Sequence, residues 1–379
     1  MRLNWISYYL QYNGFGRSSA WMVKHLQVFG VDVKHLTAGD LERPQWMFNQ
    51  MDVRPDDLRI SYFDLRSIIR IPGKHWLFTM CEGNKLAAAT VKKIKRANVE
   101  RLIVPSQFCA NVFADSGFKF PISVVHLGTD PDEFPLITEK VDRPYTFLTL
   151  ADRGDRKGWH EVYNAFYKAF GGKTTGNQNV RLIIKSLPNS NPMLMKIAKA
   201  EDWDPRIKVD ISEYQDMADL YRQADCVALP SRSEGWGMPH REAAMMGLPV
   251  IVMQNTGLDD GHTDEWAIVL PSGEMRDIND SSKLGGGGTW EVANVNRVTE
   301  EMLHCYEHPD YGRHVGLQAR NWLSSHQTWM DAAANLIEVI AKETDGYGSQ
   351  MDSSTHYAFP RNSKRVHRSS ALVGEVRSA

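Results

Sequence analysis

Glu234 and Glu242 stand with seven residues between them, and the intervening residues include Gly235, Gly237 and Pro239. A glycine-rich turn frees backbone N–H groups. Those of Gly235–Met238 can hold anionic or hydroxyl oxygens, while two nearby carboxylates accept hydrogen bonds from neighbouring hydroxyls. That combination suits a ligand bearing both sugar hydroxyls and an anionic group. An ordinary strand–helix connection with two solvated glutamates remains the alternative from pattern alone. A second cluster, Asp152-Arg153-Gly154-Asp155-Arg156-Lys157-Gly158, gathers three cations around two glycines. It reads as an anion cradle or as a solvated charged turn. Lys185 closes an apolar run and would sit at a strand end, where ligands of open α/β sheets collect.

The elements that must position these groups follow from the hydrophobic pattern. Cys226–Leu229 reads as a buried strand and Ser231–Met238 as a loop. A short helix then starts at Pro239 and stops at Gly247, and Pro249–Met253 is the next strand. The N-terminus repeats the theme: strand Leu3–Leu10, the tight loop Asn13-Gly14-Phe15-Gly16, then a helix capped by Ser18 or Ser19 that presents Trp21, Met22, His25, Leu26 and Phe29. Further strands are expected at Val31–Leu36, Leu58–Phe63, Trp76–Met80, Leu102–Val104, Ile122–His126, Tyr145–Ala151, Val180–Lys185 and Ile207–Ile211. Helices are expected at Lys85–Arg96, Phe108–Asp115, Trp159–Phe170, Met217–Arg222, Val315–Leu323 and Trp329–Ile340. Such alternation predicts an α/β architecture with parallel sheets.

Composition narrows the class. The chain has 379 residues, 42% hydrophobic and 24% charged, enough for two globular domains, and its net charge of −2 gives no general bias toward polyanions. No run is long enough to span a bilayer, and Met1–Leu10 lacks the features of a signal peptide. The four cysteines are scattered without C-x-x-C spacing, which suggests a reduced, cytoplasmic protein. From Thr344 apolar periodicity is lost and Arg361, Lys364, Arg365 and Arg368 form a basic cluster, as expected of a disordered tail.

The central stretch resembles the E-x(7)-E signature of the retaining, nucleotide-sugar-dependent glycosyltransferases of family 4: Glu234-Gly235-Trp236-Gly237-Met238-Pro239, then Glu242-Ala243, Gly247 and Pro249-Val250-Ile251. The likeness extends over roughly residues 1–340 through Val104-Pro105-Ser106-Gln107-Phe108, through Ile122–His126 with Gly128, Asp130 and Phe134, and through Trp290-Glu291 to Val298. It implies a GT-B fold, two Rossmann-like domains facing across a cleft. Residues 1–138 would form the acceptor side and 139–342 the donor side, with the final helices packing back on the junction and 343–379 a flexible tail.

The resemblance also implies roles. Glu242 would grip the ribose. Glu234 and the N–H groups of Gly237 and Met238, next to Gly235, would grip sugar hydroxyls. Lys157 would hold the donor diphosphate together with Arg153 or Arg156, which compete because the spacing is at least one residue shorter than in the family. Gly14 and Gly16 match the family's N-terminal glycine loop, Lys185 points to the cleft, and Ile211 and Tyr214 lie where the base is held. The family's histidine after the strand at Trp76–Met80 is missing; Glu82 stands on that side, as acceptor contact, general base or helix cap.

No cofactor or metal is implied beyond the nucleotide-sugar co-substrate. Asp259, Asp260 and His262 bunch in sequence without ligand spacing, which favours a loop closing over the donor. A glycan or lipid-linked acceptor is the expectation. The alternatives are a modified DNA base, supported by the basic tail alone, and a sugar-nucleotide epimerase. A dinucleotide-binding oxidoreductase is disfavoured because position 19 is Ser, which leaves G-x-G-x-x-G incomplete.

Overall fold

Side chains of alternating direction decide the core of the C-terminal sheet. Leu148, Leu150, Val227, Leu229, Val250 and Val252 bury on one face, and Phe147, Cys226, Ala228, Ile251 and Met253 on the other. Each large side chain so buried contributes about 1.5–3 kcal/mol. The computed structural model describes residues 1–7, 14–37, 54, 56–139, 141–151, 154–188, 191–199, 203–260, 262–278 and 286–343. Arg153, Asn13 and the segment from Thr344 lie outside them.

The strands in chain order are β1 (Arg2–Ser7), β2 (Asp32–Thr37), β3 (Leu58–Tyr62), β4 (His75–Phe78), β5 (Lys85–Leu86), β6 (Arg101–Val104), β7 (Ile122–Val124), β8 (Tyr145–Leu150), β9 (Val180–Lys185), β10 (Ile207–Asp210), β11 (Cys226–Leu229), β12 (Val250–Met253), β13 (Ile268–Leu270), β14 (Glu274–Asp277), β15 (Gly286–Gly287) and β16 (Thr289–Val292). They form two six-stranded sheets, ordered β2-β1-β3-β4-β6-β7 and β10-β9-β8-β11-β12-β13, whose neighbours all run parallel. Both belong to one compact unit, Met1–Val339. These are two Rossmann-like α/β domains. In the second sheet the strand order reverses between β8 and β11, so the loops leaving those strands diverge and open a crevice.

Three local expectations are corrected. The N-terminal glycines are not a loop: the helix runs Gly14–Val28, and the Ser18 hydroxyl donates back to the Gly14 carbonyl instead of capping. Ser19, the other proposed cap, is buried against the first sheet, where its hydroxyl accepts from Trp5 Nε1 at 2.6 Å. The helix expected over Lys85–Arg96 starts only at Ala88, because Lys85 and Leu86 pair antiparallel with Gly287 and Gly286 as β5–β15. The helix expected from Pro239 begins one residue earlier, spanning Met238–Met245.

Candidate active site

The reversal between β8 and β11 brings the two charged sequence clusters together. After β8 the chain makes a 3₁₀ turn, Gly154–Lys157, and after β11 it carries Glu234. Lys157 Nζ donates to Glu234 Oε1 at 2.7 Å, and Arg156 Nη1 lies 3.0 Å from Glu234 Oε2. All three side chains are buried. Burial alone would raise the Glu234 carboxyl, but Arg156 and Lys157 outweigh it and hold it well below the usual carboxylate range. Arg156 also donates to the Ser233 carbonyl at 2.7 Å and reaches Glu82 Oε1 at 3.1 Å, so it spans from the second sheet to the first. Of the two competing arginines, Arg156 is the one the described residues place here.

Two glycines fix this geometry. Gly158, at the N-cap of helix Trp159–Phe170, has φ +70°, and a Cβ there would lie 2.2 Å from the Pro230 carbonyl oxygen. Gly237, at the N-cap of helix Met238–Met245, has φ +83°. Side-chain-bearing residues rarely take such angles, so glycine holds each turn against its strand end. His240, on that second helix, is buried and bonds the Leu229 carbonyl at 3.0 Å; burial pushes its pKa down to about 3, so it is neutral.

Next to the ion-pair cluster lies a pocket of about 210 Å³. Gly14 and Arg17 line it from the first domain, and Lys185, Tyr214, Met238 and Glu242 from the second. Tyr221 donates to Glu242 Oε2 at 2.8 Å, and Arg17 Nη2 lies 3.2 Å from Glu242 Oε1 and 2.9 Å from Glu133 Oε1. Tyr214 donates to Asp210 Oδ2 at 2.8 Å, and Lys185 Nζ sits 5.7 Å from the Tyr214 ring centre. Asp210 is held below its usual range: burial would raise it, and hydrogen bonds from Lys208, Ser212 and Tyr214 more than compensate. Ile211 is 43% exposed and does not line the pocket.

Sequence reasoning missed Arg17 and Tyr221, which orient Glu242. Arg17 follows Gly16 directly, and a lone arginine one residue past a glycine pair gave no sign of a partner 225 positions away. The acidic loop is resolved into separate contacts. Asp260 accepts from Gln107 N at 2.6 Å and lies 2.9 Å from His126 Nε2, Asp259 accepts from Gln254 at 3.0 Å, and His262 packs on Trp322. Among the described residues no group of three or more His, Cys, Asp or Glu converges on a point where a metal could be held. Gly235 joins the two domains: its carbonyl accepts from Ser106 Oγ at 2.8 Å. Among the same residues no helix is long and apolar enough to cross a membrane.

Comparisons with known proteins agree with this geometry. Residues 110–336 match a family described as family 4 glycosyltransferase in conflict systems. A protein of Sulfolobus islandicus filamentous virus (isolate Iceland/Hveragerdi), named glycosyltransferase 45, is 24% identical over 266 residues, 68% of each chain. Among solved structures, sucrose-phosphate synthase from Thermosynechococcus elongatus superposes with a TM-score of 0.67 at 13% identity, over 90% of this chain and 99% of its own. Anabaena HepE in complex with UDP and glucose does so with 0.65 at 11%, over the same shares. The match over more than half of its length, on two Rossmann-like domains in the GT-B arrangement, makes this chain a member of the family 4 glycosyltransferases.

Proposed function

We propose that the chain transfers a sugar from a nucleotide diphosphate sugar to an acceptor hydroxyl with retention of anomeric configuration. One observation carries this reading: Arg156 and Lys157 meet at the strand-order reversal, beside a pocket that ends on Glu242, Lys185 and Tyr214. A donor laid along that line puts its base at Tyr214 and Lys185, its ribose on Glu242 and its diphosphate over the two cations, with the N–H groups of Gly237 and Met238 turned to the sugar. Arg153 remains the alternative to Arg156 for the diphosphate role, as the resemblance implies. Glu234 holds both cations; as the phosphates bind they take over part of that charge, and the carboxylate turns to the sugar hydroxyls.

Chemistry then needs few groups. The acceptor oxygen attacks the anomeric carbon on the face from which the diphosphate departs, and the acceptor proton passes to the leaving phosphate oxygen. Arg156 and Lys157 stabilise the negative charge that grows on that oxygen, the kind of preorganised electrostatic term that dominates many enzymes. Glu82, tied to Arg156, faces the acceptor side. Four buried, unpaired cysteines favour a reducing, cytoplasmic compartment.

The test is a panel of sugar nucleotides, beginning with UDP-glucose, with donor hydrolysis and transfer followed by mass spectrometry and the product anomer read by NMR. An inverted product would refute retention. Silence across the panel would refute the transferase reading, and interconversion of the donor sugar without transfer would establish the epimerase instead.

A further inference from the structure

From Leu65 to Arg96 the chain carries eight arginines and lysines against a single carboxylate, Glu82, a local charge of +7 in a protein whose net charge is −2. The fold gathers half of those cations. Arg70, in the connection between β3 and β4, and Lys92, Lys93 and Arg96, on the helix Ala88–Arg96, line one open hollow of about 340 Å³ with an apolar floor that includes Ile68 and Ala97. Arg70, Lys92, Lys95 and Arg96 are exposed. Among the described residues, Arg66 is the patch cation with an acidic partner, Asp64 at 3.4 Å, while Lys93 turns its ammonium to the Arg66 carbonyl.

The helix dipole explains some of this, because Lys93, Lys95 and Arg96 occupy the last turn. It does not explain Lys92 or Arg70, which face the same hollow from different elements. Uncompensated like charge on one face destabilises the folded state and signals a polyanionic partner. Two kinds of partner fit a basic helix. A lipid surface also needs apolar side chains projecting beside the cations. No exposed large hydrophobic residue falls between Phe29 and Val141 among the described residues, so the patch lacks that anchor. A phosphodiester strand needs only the cations. Nine helical residues span about 13 Å, roughly four nucleotides of a stacked strand.

We infer that this face is a docking surface for a nucleic-acid strand, which carries the hydroxyl that the transferase glycosylates. The inference rests on the transferase reading above for its acceptor half. Position supports it: Lys85, within the same basic stretch, is three residues from Glu82, so their Cα atoms are at most about 11 Å apart. Glu82 itself contacts Arg156 of the donor side. The surface therefore leads from the outer helix to the acceptor mouth.

The experiment uses the full-length chain, basic tail included. A fluorescein-labelled single-stranded 20-mer, as DNA and as RNA, is titrated by anisotropy between 50 and 200 mM KCl, beside anionic phosphatidylserine vesicles in a sedimentation arm. About four phosphate contacts predict a slope of log K against log salt near −3. In the triple variant Arg70→Gln/Lys92→Gln/Arg96→Gln the slope should become shallower by about 2 and the affinity at 50 mM should fall on the order of tenfold or more. A single Lys95→Gln variant, at an exposed position of the same helix, gives a smaller loss in the same direction should the triple variant melt early. Unchanged slopes in the variants would assign binding to the tail and overturn the inference, as would vesicle binding without oligonucleotide binding. Donor hydrolysis by the wild-type chain is scored separately. Its absence with the predicted oligonucleotide slopes would sink the transferase reading and leave the surface standing, and normal hydrolysis with no oligonucleotide binding would do the reverse.

Discussion

Lys157 and Glu242 answer different demands, and kinetics should separate them. If Glu242 grips the ribose as proposed, equally in ground and transition states, Glu242→Ala should raise the donor KM roughly 10–100-fold with kcat little changed, such charged hydrogen bonds being worth about 1.5–3 kcal/mol. Lys157 acts where charge accumulates. Lys157→Ala should cut kcat on the order of 10²–10³-fold at saturating donor. Near-normal kcat there would transfer the leaving-group role to Arg156. If these side chains supply the positive charge that a divalent ion supplies elsewhere, turnover should survive excess EDTA; loss of activity with rescue by Mn²⁺ would overturn that assignment. Glu234, Glu242 and Lys157 were legible because each sits at a fixed offset from a glycine. Arg17 and Tyr221 were not, because the pairing that brings them to Glu242 is tertiary.

At the scale of elements, the turn that carries Lys157 depends on Gly158. An alanine there must hold φ near +70° with its Cβ 2.2 Å from the Pro230 carbonyl oxygen. Gly158→Ala should cost about 3 kcal/mol or more and lower kcat as the turn shifts, which urea melts and steady-state assays would show. Most strands were readable because both faces of a parallel sheet are buried, so β11 and β12 appear as unbroken apolar runs bounded by polar residues or proline. The helix Gly14–Val28 was misread at its start because two glycines suggested a loop, yet neither has a positive φ. Two-residue β5 carries no periodicity at all; only its distant partner makes it a strand.

At the scale of the molecule, the buried, neutral His75 and His240 tie stability to pH. His75 is held down to about 4 and His240 to about 3, in each case chiefly by burial. Between pH 6.5 and those values the unfolded chain binds protons that the native chain refuses. Stability therefore falls as pH falls, by up to about 1.4 kcal/mol per pH unit for each histidine. Denaturant titrations at pH 7, 6 and 5 should show this decline, and His240→Gln should flatten it; an identical slope in the variant would show that His240 is already protonated in the native state.

The pairing of β5 with β15 bears on timing. Asn84 reinforces that short ladder by donating to Thr289 Oγ1 and accepting from Thr289 N, both at 3.0 Å, so a segment of the first domain and a segment of the second are fastened together. If the product diphosphate leaves only when that edge unzips, the ladder sets the pace of turnover. Its amides should exchange with deuterium at the opening rate, and Asn84→Ala should speed both that exchange and product release while leaving single-turnover chemistry unchanged.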